Sequence, residues 1–291
     1  MRFHFDEEKT YLYFEDERCD KLTQKCLKSI YICFFVIAVI VAAIYIWFCT
    51  EFYFMKITGR SMQPTINPDI SIQSEAQDYA LVDKDGSYTY GDIVIINNPK
   101  NLNKETFVKR VVAFGGDKIS IIKTKGEDGY YSFHLLIIKK DSPTVNGQPT
   151  IEVVQEDYIK QTNGGKNWDS SDGEPENHVI YEKKFYENYI SAEGEFYHSS
   201  QVEKIWFGTS LVWFYQLPEG QVFFMGDNRA ISYDARELGP VDMDEMVLGK
   251  VVKIVKNGAY SDLFFVRAFY QLKGLFEYFM PKLLNYFAWT Y

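Results

Sequence analysis

The chain has 291 residues, of which 46% are hydrophobic and 24% charged, so most of it can form a packed core and disorder is excluded as its main state. The 40 acidic residues outnumber the 31 basic ones, and the formal charge of -9 argues against nucleic acid as a partner. All four cysteines lie at or before residue 49, which excludes a disulfide framework and a cysteine nucleophile in the rest of the chain. Zinc-hydrolase motifs and phosphate-binding glycine loops are absent, so neither a metal nor a cofactor is predicted.

The first predicted element is a membrane span. Residues 30–49 form a run of twenty residues without a charge, and a helix of that length extends roughly 30 Å, about the thickness of a bilayer core. The run is too long, and starts too late, for a cleaved signal peptide. It therefore predicts a transmembrane helix over residues 30–50, with a buried core helix as the alternative.

The charges that flank this span predict its orientation. Four basic residues precede it closely: Arg18, Lys21, Lys25 and Lys28. Only Lys56 and Arg60 lie equally near its far end. By the positive-inside rule, residues 1–29 form a solvated cytoplasmic tail and residues after 50 face outward, as in a single-pass protein of the cell membrane. Phe52, Tyr53 and Phe54 would lie at the interface.

Residues 51–255 are predicted to fold as a β-rich ectodomain. Six short segments in this region are rich in β-branched or aromatic residues and are bounded by turn residues. They are residues 90–97, 107–113, 118–123, 134–139, 211–216 and 222–225. An Asn-Gly pair within residues 145–149 predicts a tight turn between extended segments. The expected fold class is mostly β.

Two stretches depart from this strand pattern. Residues 160–204, within an insertion over residues 150–216, are polar and predict an exposed segment with a hairpin and a short helix. Residues 256–291 form an aromatic tail, in which Phe, Leu and Tyr recur among scattered charges. This amphipathic pattern favours a helix in the lipid headgroup region, and packing against the ectodomain is the alternative.

A serine nucleophile needs a base, and the sequence offers two kinds. Ser61 lies in a Gly-Arg-Ser-Met-Gln-Pro segment, where a serine is commonly only a loop hydroxyl. A histidine base would be His134, His178 or His198, although nothing in the sequence brings one of them to Ser61. A lysine base would be Lys109.

Lys109 lies beside Arg110 in the predicted strand over residues 107–113. Because side chains alternate along a strand, Lys109 shares a face with Phe107 and Val111, and one of the two cations must approach the core. Burial disfavours the charged ammonium and lowers its pKa. A shift of two or three units from ~10.4 costs roughly 3–4 kcal/mol. The alternative is a lysine whose amine reaches the solvent.

The loop that follows residues 222–225 gathers charged side chains. Asp227, Arg229, Asp234 and Arg236 lie there together with Ser232. Their spacing allows paired, hydrogen-bonded supports. A calcium loop is the competing interpretation, but the segment lacks the twelve-residue pattern and its bidentate glutamate.

Three of these segments together resemble the bacterial type I signal peptidases. Residues 59–65 (GRSMQPT) are similar to the nucleophile box of that family, residues 109–117 to its lysine box, and residues 226–236 to its third box. Further matching segments are residues 90–94, 145–147, 218–222 and 239–250. The resemblance covers residues 30–150 and 217–252.

The resemblance implies a membrane-anchored serine endopeptidase with a mostly antiparallel β-sheet fold. Such an enzyme would remove signal peptides from exported preproteins, cutting after small residues in an A-x-A-like site. Ser61 would be the nucleophile and would donate its backbone N–H to the oxyanion, and neutral Lys109 would be the general base.

The same match implies roles for other residues of the site. Ser232 would hydrogen-bond the lysine amine, and Met62 would face the substrate or the membrane-proximal side. Four charged residues would be structural supports: Asp227, Arg229, Asp234 and Arg236. Gly59 stands where many relatives have a serine that helps to bind the oxyanion, so that side-chain donor is missing here.

The predicted site must work near the bilayer surface. Ser61 is the twelfth residue after Cys49, and even a fully extended linker of that length reaches about 40 Å. The expected partners are signal-peptide-bearing preproteins and the lipid bilayer, and the oligomeric state is left open. One alternative is a catalytically silent, membrane-tethered homologue that acts as a scaffold or binding module. Another is the related group of self-cleaving Ser–Lys repressors, which the acidic charge and the lack of a helix-turn-helix signature disfavour.

Overall fold

The structure, a computed structural model, describes most of the chain. The described residues are 2–6, 11–15, 17–67, 78–100, 105–125, 131–145, 147–155, 184–229, 231–255 and 271–282. The chain divides into two compact units, Met1–Glu51 and Phe52–Tyr291.

The first unit consists of a hairpin and a long helix. Strands β1 (Arg2–Asp6) and β2 (Tyr11–Glu15) pair antiparallel, and helix α1 covers Glu17–Glu51. By length and composition, α1 can cross a membrane. It begins before the predicted start at residue 30, because Glu, Lys, Leu and Gln, which are strong helix formers, recur between residues 17 and 28. Of residues 1–29, expected to be a solvated tail, those that the structure describes form the hairpin strands and the first turns of the helix.

The second unit is mostly β. In chain order its strands are β3 (Phe52–Lys56), β4 (Tyr79–Asp83), β5 (Ile93–Asn97), β6 (Thr106–Phe114), β7 (Lys118–Lys125), β8 (Tyr131–Ile138), β9 (Thr144–Val145), β10 (Gln148–Pro149), β11 (Glu152–Gln155), β12 (Val202–Phe207), β13 (Ser210–Gln216), β14 (Gln221–Met225), β15 (Val241–Asp242) and β16 (Val247–Val255). Its helices are short: α2 (Ala235–Leu238), α3 (Met243–Met246) and α4 (residues 271–282). One π-helical turn covers Tyr186–Ile190.

The strands form two larger sheets and one small hairpin. The seven-stranded sheet has the order β15-β14-β6-β5-β16-β4-β3, and the five-stranded sheet has the order β11-β8-β7-β13-β12. Every strand pair that the structure describes is antiparallel. The expected fold class, a mostly antiparallel β-sheet behind one N-terminal apolar helix, is confirmed.

All six predicted strands are present, as β5, β6, β7, β8, β13 and β14, and the segments on either side of the predicted Asn-Gly turn pair as β9 and β10. Asn146 itself lies outside the described residues. The prediction missed β1 to β4, β11, β12, β15 and β16. β3 contains the residues Phe52, Tyr53 and Phe54, which were expected to lie at the membrane interface. They pair instead with β4, and Phe52 is buried.

The main core combines side chains of both sheets. β5, β6 and β14 contribute from the larger sheet, and β7, β8 and β13 from the smaller one. Phe185 and Tyr189 also lie in this core, and their rings stack with centroids 5.0 Å apart. The expectation that residues 160–204 are exposed is therefore wrong for this part, because two aromatic residues one helical turn apart bury the π-helical turn. Residues 156–183 lie outside the described residues.

A second apolar cluster fixes the loop that carries Ser61, residues 57–67, which we call the Ser61 loop. Ile57, Met62 and Ile66 of this loop pack against Ile95 of β5 and Val108 of β6. Neighbouring β5 residues Val94 and Ile96 belong to the main core instead. The larger sheet is thus covered on both faces at β5, which explains its continuous apolar sequence.

Asn67 closes the Ser61 loop by hydrogen bonds. Its Nδ2 group donates to the carbonyl oxygens of Ile57 and Gly59, at 3.0 and 3.3 Å. Its Oδ1 atom accepts the Asp78 backbone N–H at 2.6 Å, and the Asp78 carboxylate accepts the Asn67 N–H at 2.8 Å. Asn67 has φ 54, a conformation that asparagine tolerates better than most residues.

We predict that Asn67→Ala lowers the free energy of unfolding by about 3 kcal/mol, since it removes three hydrogen bonds and strands buried backbone groups. Thermal unfolding in detergent measures the effect. Asn98→Ala is the matched control, because the Asn98 side chain accepts only an exposed bond from Lys100 N–H. Equal unfolding midpoints for the two variants would contradict the structural role of Asn67.

Candidate active site

The side chains of Ser61 and Lys109 meet. Lys109 projects from β6 and is 3% exposed, and its Nζ atom lies 2.8 Å from Ser61 Oγ. Ser61 is half-buried in its loop, so its hydroxyl remains reachable from solvent. The two residues, 48 positions apart in sequence, form a hydrogen-bonded pair of a hydroxyl and an amine.

The surroundings of Lys109 favour its neutral form. Burial lowers the pKa of the Lys109 amine to about 8 from an ordinary value of 10.5. The charges nearby partly cancel, because Asp234 and Asp227 raise this pKa while Arg236 lowers it. The Phe107 ring centroid lies 5.4 Å from Nζ. The amine is therefore in an apolar pocket edged by paired charges.

Asp227 joins all three predicted boxes. Its side chain is 0% exposed and accepts two bonds from Arg110, at 2.7 Å from Nε and 2.5 Å from Nη2. The Thr65 hydroxyl donates to the same carboxylate at 2.5 Å. Removing one partner of such a buried pair typically costs 3–5 kcal/mol. Asp227 thus fixes the Ser61 loop to β6 and to its own loop, residues 226–236, which we call the Asp227 loop.

Asp234 and Arg236 form a second buried pair. Arg236 donates to both Asp234 carboxylate oxygens, at 2.8 Å from Nε and 2.9 Å from Nη2. Asp234 also caps helix α2 and accepts the Gly226 backbone N–H at 3.0 Å. Burial raises the Asp234 pKa, but the charge of Arg236 and these hydrogen bonds outweigh burial and lower it overall. Asp234 is thus ionised, and its bonds keep the Asp227 loop folded back on its own first residue.

The Asp227 loop also contacts the main chain of Ser61. The Asn228 N–H donates to the Ser61 carbonyl at 2.9 Å. A Cβ atom at Gly226 would overlap both Ser61 O and Ser232 Oγ. Glycine at position 226 is therefore what allows the two loops to approach each other.

Ser232 and Arg229 are buried as expected of site residues. Ser232 is 5% exposed and lies against Gly226, but within the described part of the chain its hydroxyl has no hydrogen-bond partner. The hydrogen bond expected between Ser232 and Lys109 is thus not made. Arg229 contributes its carbonyl, which accepts from Arg236 at 2.9 Å, and its Nη1 atom lies 3.6 Å from the Met225 sulfur.

The remaining residues of the predicted site are Gly59, Met62 and the main chain of Ser61. Gly59 has φ 92, and no atom lies within 4 Å of the position that a Cβ would take, so the missing side chain leaves open space. Met62 is 3% exposed and packs in the second apolar cluster, so it anchors the loop, and its contact with substrate stays a prediction. Among the described residues, none accepts the Ser61 backbone N–H, which is available to a developing oxyanion.

Two residues of the insertion support the Asp227 loop and were not predicted. Asn188 Nδ2 donates to the Arg236 carbonyl at 2.7 Å, and the Tyr189 hydroxyl donates to the Ala235 carbonyl. Lys184 forms an ion pair with Glu237 in the same region. The only signal in the sequence was the i, i+4 spacing of Phe185 and Tyr189 within a polar stretch.

The histidine alternative has less support. His134 lies on β8, and His198 Nδ1 lies 2.7 Å from Ser200 Oγ. Ser61 has neither of them as a hydrogen-bond partner, and His178 lies outside the described residues. In the described ranges, no group of three or more His, Cys, Asp or Glu side chains is arranged to hold a metal ion.

The chain is similar to proteins of a known family. The sequence model of the family described as "Signal peptidase, peptidase S26" matches residues 28–255, which is more than half of the chain. The chain belongs to the signal peptidase family. Family membership makes it a protease homologue and accounts for the order of the three boxes along the sequence.

Individual relatives agree with this family. Signal peptidase IB of Staphylococcus aureus strain COL is 26% identical over 218 residues, which cover 74% of this chain and 85% of the relative. The proteins of strains Mu50 and N315 match with the same identity and coverage. A crystal structure of a signal peptidase I from Enterococcus faecalis superposes with a TM-score of 0.30 and 18% identity, covering 57% of this chain and 97% of that one.

We predict that Lys109→Met raises the stability of this signal peptidase homologue at pH 7. A pKa of about 8 instead of 10.5 corresponds to a cost of roughly 3 kcal/mol, of which the lost hydrogen bond to Ser61 offsets about 1 kcal/mol. A net gain of about 2 kcal/mol remains. Between pH 8 and 10.5 the unfolded parent binds more protons than the folded parent, so the parent gains stability as the pH rises. The difference in stability between Lys109→Met and the parent therefore shrinks.

Thermal unfolding of both proteins at pH 7 and pH 10 measures this effect. Lys118→Met is the control, since Lys118 is partly exposed and pairs with Glu203, and it should give no gain. If Lys109→Met instead unfolded at a lower temperature than the parent at pH 7, burial of the Lys109 amine would not destabilise the fold, and the prediction would be wrong.

Proposed function

We propose that this chain is a type I signal peptidase, a serine endopeptidase that uses Ser61 as nucleophile and Lys109 as general base. The observation that carries the proposal is the 2.8 Å approach of Lys109 Nζ to Ser61 Oγ inside an apolar pocket. With a pKa of about 8, about one tenth of the Lys109 amine is neutral at pH 7, against about one part in 2,500 at an ordinary pKa of ~10.4. Burial therefore supplies the base.

In the first half of the reaction, neutral Lys109 takes the Ser61 hydroxyl proton while Oγ attacks the scissile carbonyl carbon. The carbonyl π electrons move to the oxygen, and the Ser61 backbone N–H donates to this oxyanion. The oxyanion collapses, the C–N bond breaks, and the Lys109 ammonium returns its proton to the leaving amine. The product is an ester of the signal peptide on Ser61 and a free mature N-terminus.

In the second half, Lys109 takes a proton from water, and the resulting hydroxide attacks the ester carbonyl. Collapse of this second oxyanion breaks the C–Oγ bond, and the proton returns from Lys109 to Ser61 Oγ. The ion pairs of Asp227 with Arg110 and of Asp234 with Arg236 keep the Ser61 hydroxyl and the Lys109 amine in contact. These ion pairs take up and release no proton in either half of the reaction.

The substrates that we propose are preproteins with a signal peptide, cut after small residues in an A-x-A-like site. The chain would be anchored by the apolar helix, with its N-terminus in the cytoplasm and its catalytic unit outside, as the flanking basic residues predict. A preprotein's cleavage site emerges at the same membrane surface. Anchoring both partners in one bilayer raises their effective concentration.

We predict that the full-length protein in proteoliposomes cleaves a preprotein, and that Ser61→Ala and Lys109→Arg each lower the rate at least about a thousandfold. Ser61→Ala removes the nucleophile, and the guanidinium of Lys109→Arg cannot become a neutral base. N-terminal sequencing of the product identifies the cleaved bond, and thermal unfolding checks the fold.

Four control variants separate this mechanism from its alternatives. His134→Ala, His178→Ala, His198→Ala and Lys118→Arg should cleave at the parental rate. Near-parental cleavage by Lys109→Arg, or an inactive but folded histidine variant, would reject the Ser–Lys mechanism. Failure of the folded parent to cleave any preprotein would favour the catalytically silent scaffold.

A further inference from the structure

Helix α4, residues 271–282, packs one of its faces against the seven-stranded sheet. A Cβ atom at Gly274 would lie 2.5 Å from Val255 Cγ2, so the helix backbone lies directly on β16. The rings of Tyr278 and Phe279 contact Phe52 of β3, with centroids 6.1 and 5.5 Å away. For residues 271–282, the expected alternative, packing of the tail against the ectodomain, is thus observed, and residues 256–270 and 283–291 of the tail lie outside the described residues.

A second face of the same helix is apolar and turned to solvent. Leu272 and Phe276, one helical turn apart, are 65% and 62% exposed. Lys273 and Lys282 flank this apolar pair and are exposed as well. Glu277 lies 3.0 Å from Lys253 Nζ and 3.9 Å from Lys273 Nζ, so two lysines balance the one acidic residue of the helix. What remains toward solvent is a pair of large apolar side chains edged by cations, the composition of a surface that binds anionic lipid.

Chain connectivity brings this helix close to the proposed membrane span. Phe52, which contacts Tyr278 and Phe279, is the third residue after Cys49, the last residue of the uncharged run. Three residues reach at most about 11 Å. If residues 30–50 cross the bilayer, as in the proposed function on which this inference rests, the residue that α4 contacts, Phe52, is therefore within about 11 Å of the end of the span.

We propose that α4 is a second membrane contact: it lies in the lipid headgroup region, with Leu272 and Phe276 in the acyl boundary and Lys273 and Lys282 beside lipid phosphates. The bilayer is favoured over a second copy of the chain because Phe52, which α4 contacts, closely follows the proposed span, and because lysines beside an apolar pair match the anionic lipid surface. Through its contacts with β3 and β16, α4 then attaches the edge of the larger sheet to the bilayer. The Ser61 loop follows β3 directly.

The test uses the full-length chain in phosphatidylcholine vesicles that contain phosphatidylglycerol. Cys19, Cys26, Cys33 and Cys49 are replaced by serine, and single cysteines carrying an environment-sensitive fluorophore are placed elsewhere. The sites tested are Leu272→Cys and Phe276→Cys. Ile37→Cys, in the uncharged run, is the lipid reference, and Ser210→Cys, at the exposed first residue of β13, is the aqueous reference. Quenching by doxyl-labelled lipid and by aqueous iodide is measured at each site.

We predict that the labels at 272 and 276 are quenched by doxyl lipid and that iodide quenches them at least about threefold less than the label at 210. Iodide quenching equal to that at 210, with the label at 37 in lipid, would overturn the proposal for α4 and leave the anchor intact. Protection from both quenchers would show that protein covers this face and would also overturn it. A label at 37 that iodide reaches would reject the anchor itself and, with it, the membrane role of α4. These readouts do not depend on cleavage activity.

Discussion

The Lys109 amine is buried beside the Ser61 hydroxyl, and this burial determines how the surrounding charges of the second unit must be arranged. Lys109 loses most of its hydration, which lowers its pKa to about 8, and such a group is tolerated only where polar partners are fixed in place. Asp227 and Asp234 are both fully buried nearby, and an unpaired carboxylate at either position would restore the charge of the lysine. Each is paired instead with an arginine, Arg110 or Arg236. The two ion pairs therefore let the fold bury acidic residues around Lys109 and still keep its pKa low.

The same groups hold Ser61 against Lys109. The Ser61 loop is attached at three places: Asn67 closes it, Thr65 donates to Asp227, and the Ser61 carbonyl accepts the Asn228 N–H. A loop bonded at so many points loses the mobility that loops usually have, so the 2.8 Å contact needs no rearrangement when a substrate arrives. The insertion contributes to this rigidity through Asn188 and Tyr189, which bond the main chain of α2 behind Asp234 and Arg236.

Much of this arrangement could be predicted from the sequence. Alternation along residues 107–113 indicated that either Lys109 or Arg110 approaches the core, and the structure buries Lys109. Local patterns could not give the partner of Asp227, which is Arg110 of β6, because that pair depends on the pairing of β14 with β6. The predicted bond between Ser232 and Lys109 is not formed. The strands β4 and β16 were missed although an Asp-Gly pair follows β4 at residues 85–86 and an Asn-Gly pair follows β16 at residues 257–258. The burial of Phe185 and Tyr189 depends on the other strands that enclose them.

The pH dependence of cleavage shows whether Lys109 is the base. If a buried, neutral Lys109 is the base, kcat/KM should rise with pH along a single limb with a midpoint of about 8, and reach a plateau above it, because the rate follows the neutral fraction of the free enzyme. Partial exposure of the pocket should move the midpoint upward, so a variant that replaces Phe107 by alanine should titrate at higher pH than the parent. A limb near pH ~6.5, or a midpoint that does not move when Phe107 is replaced, would contradict the account.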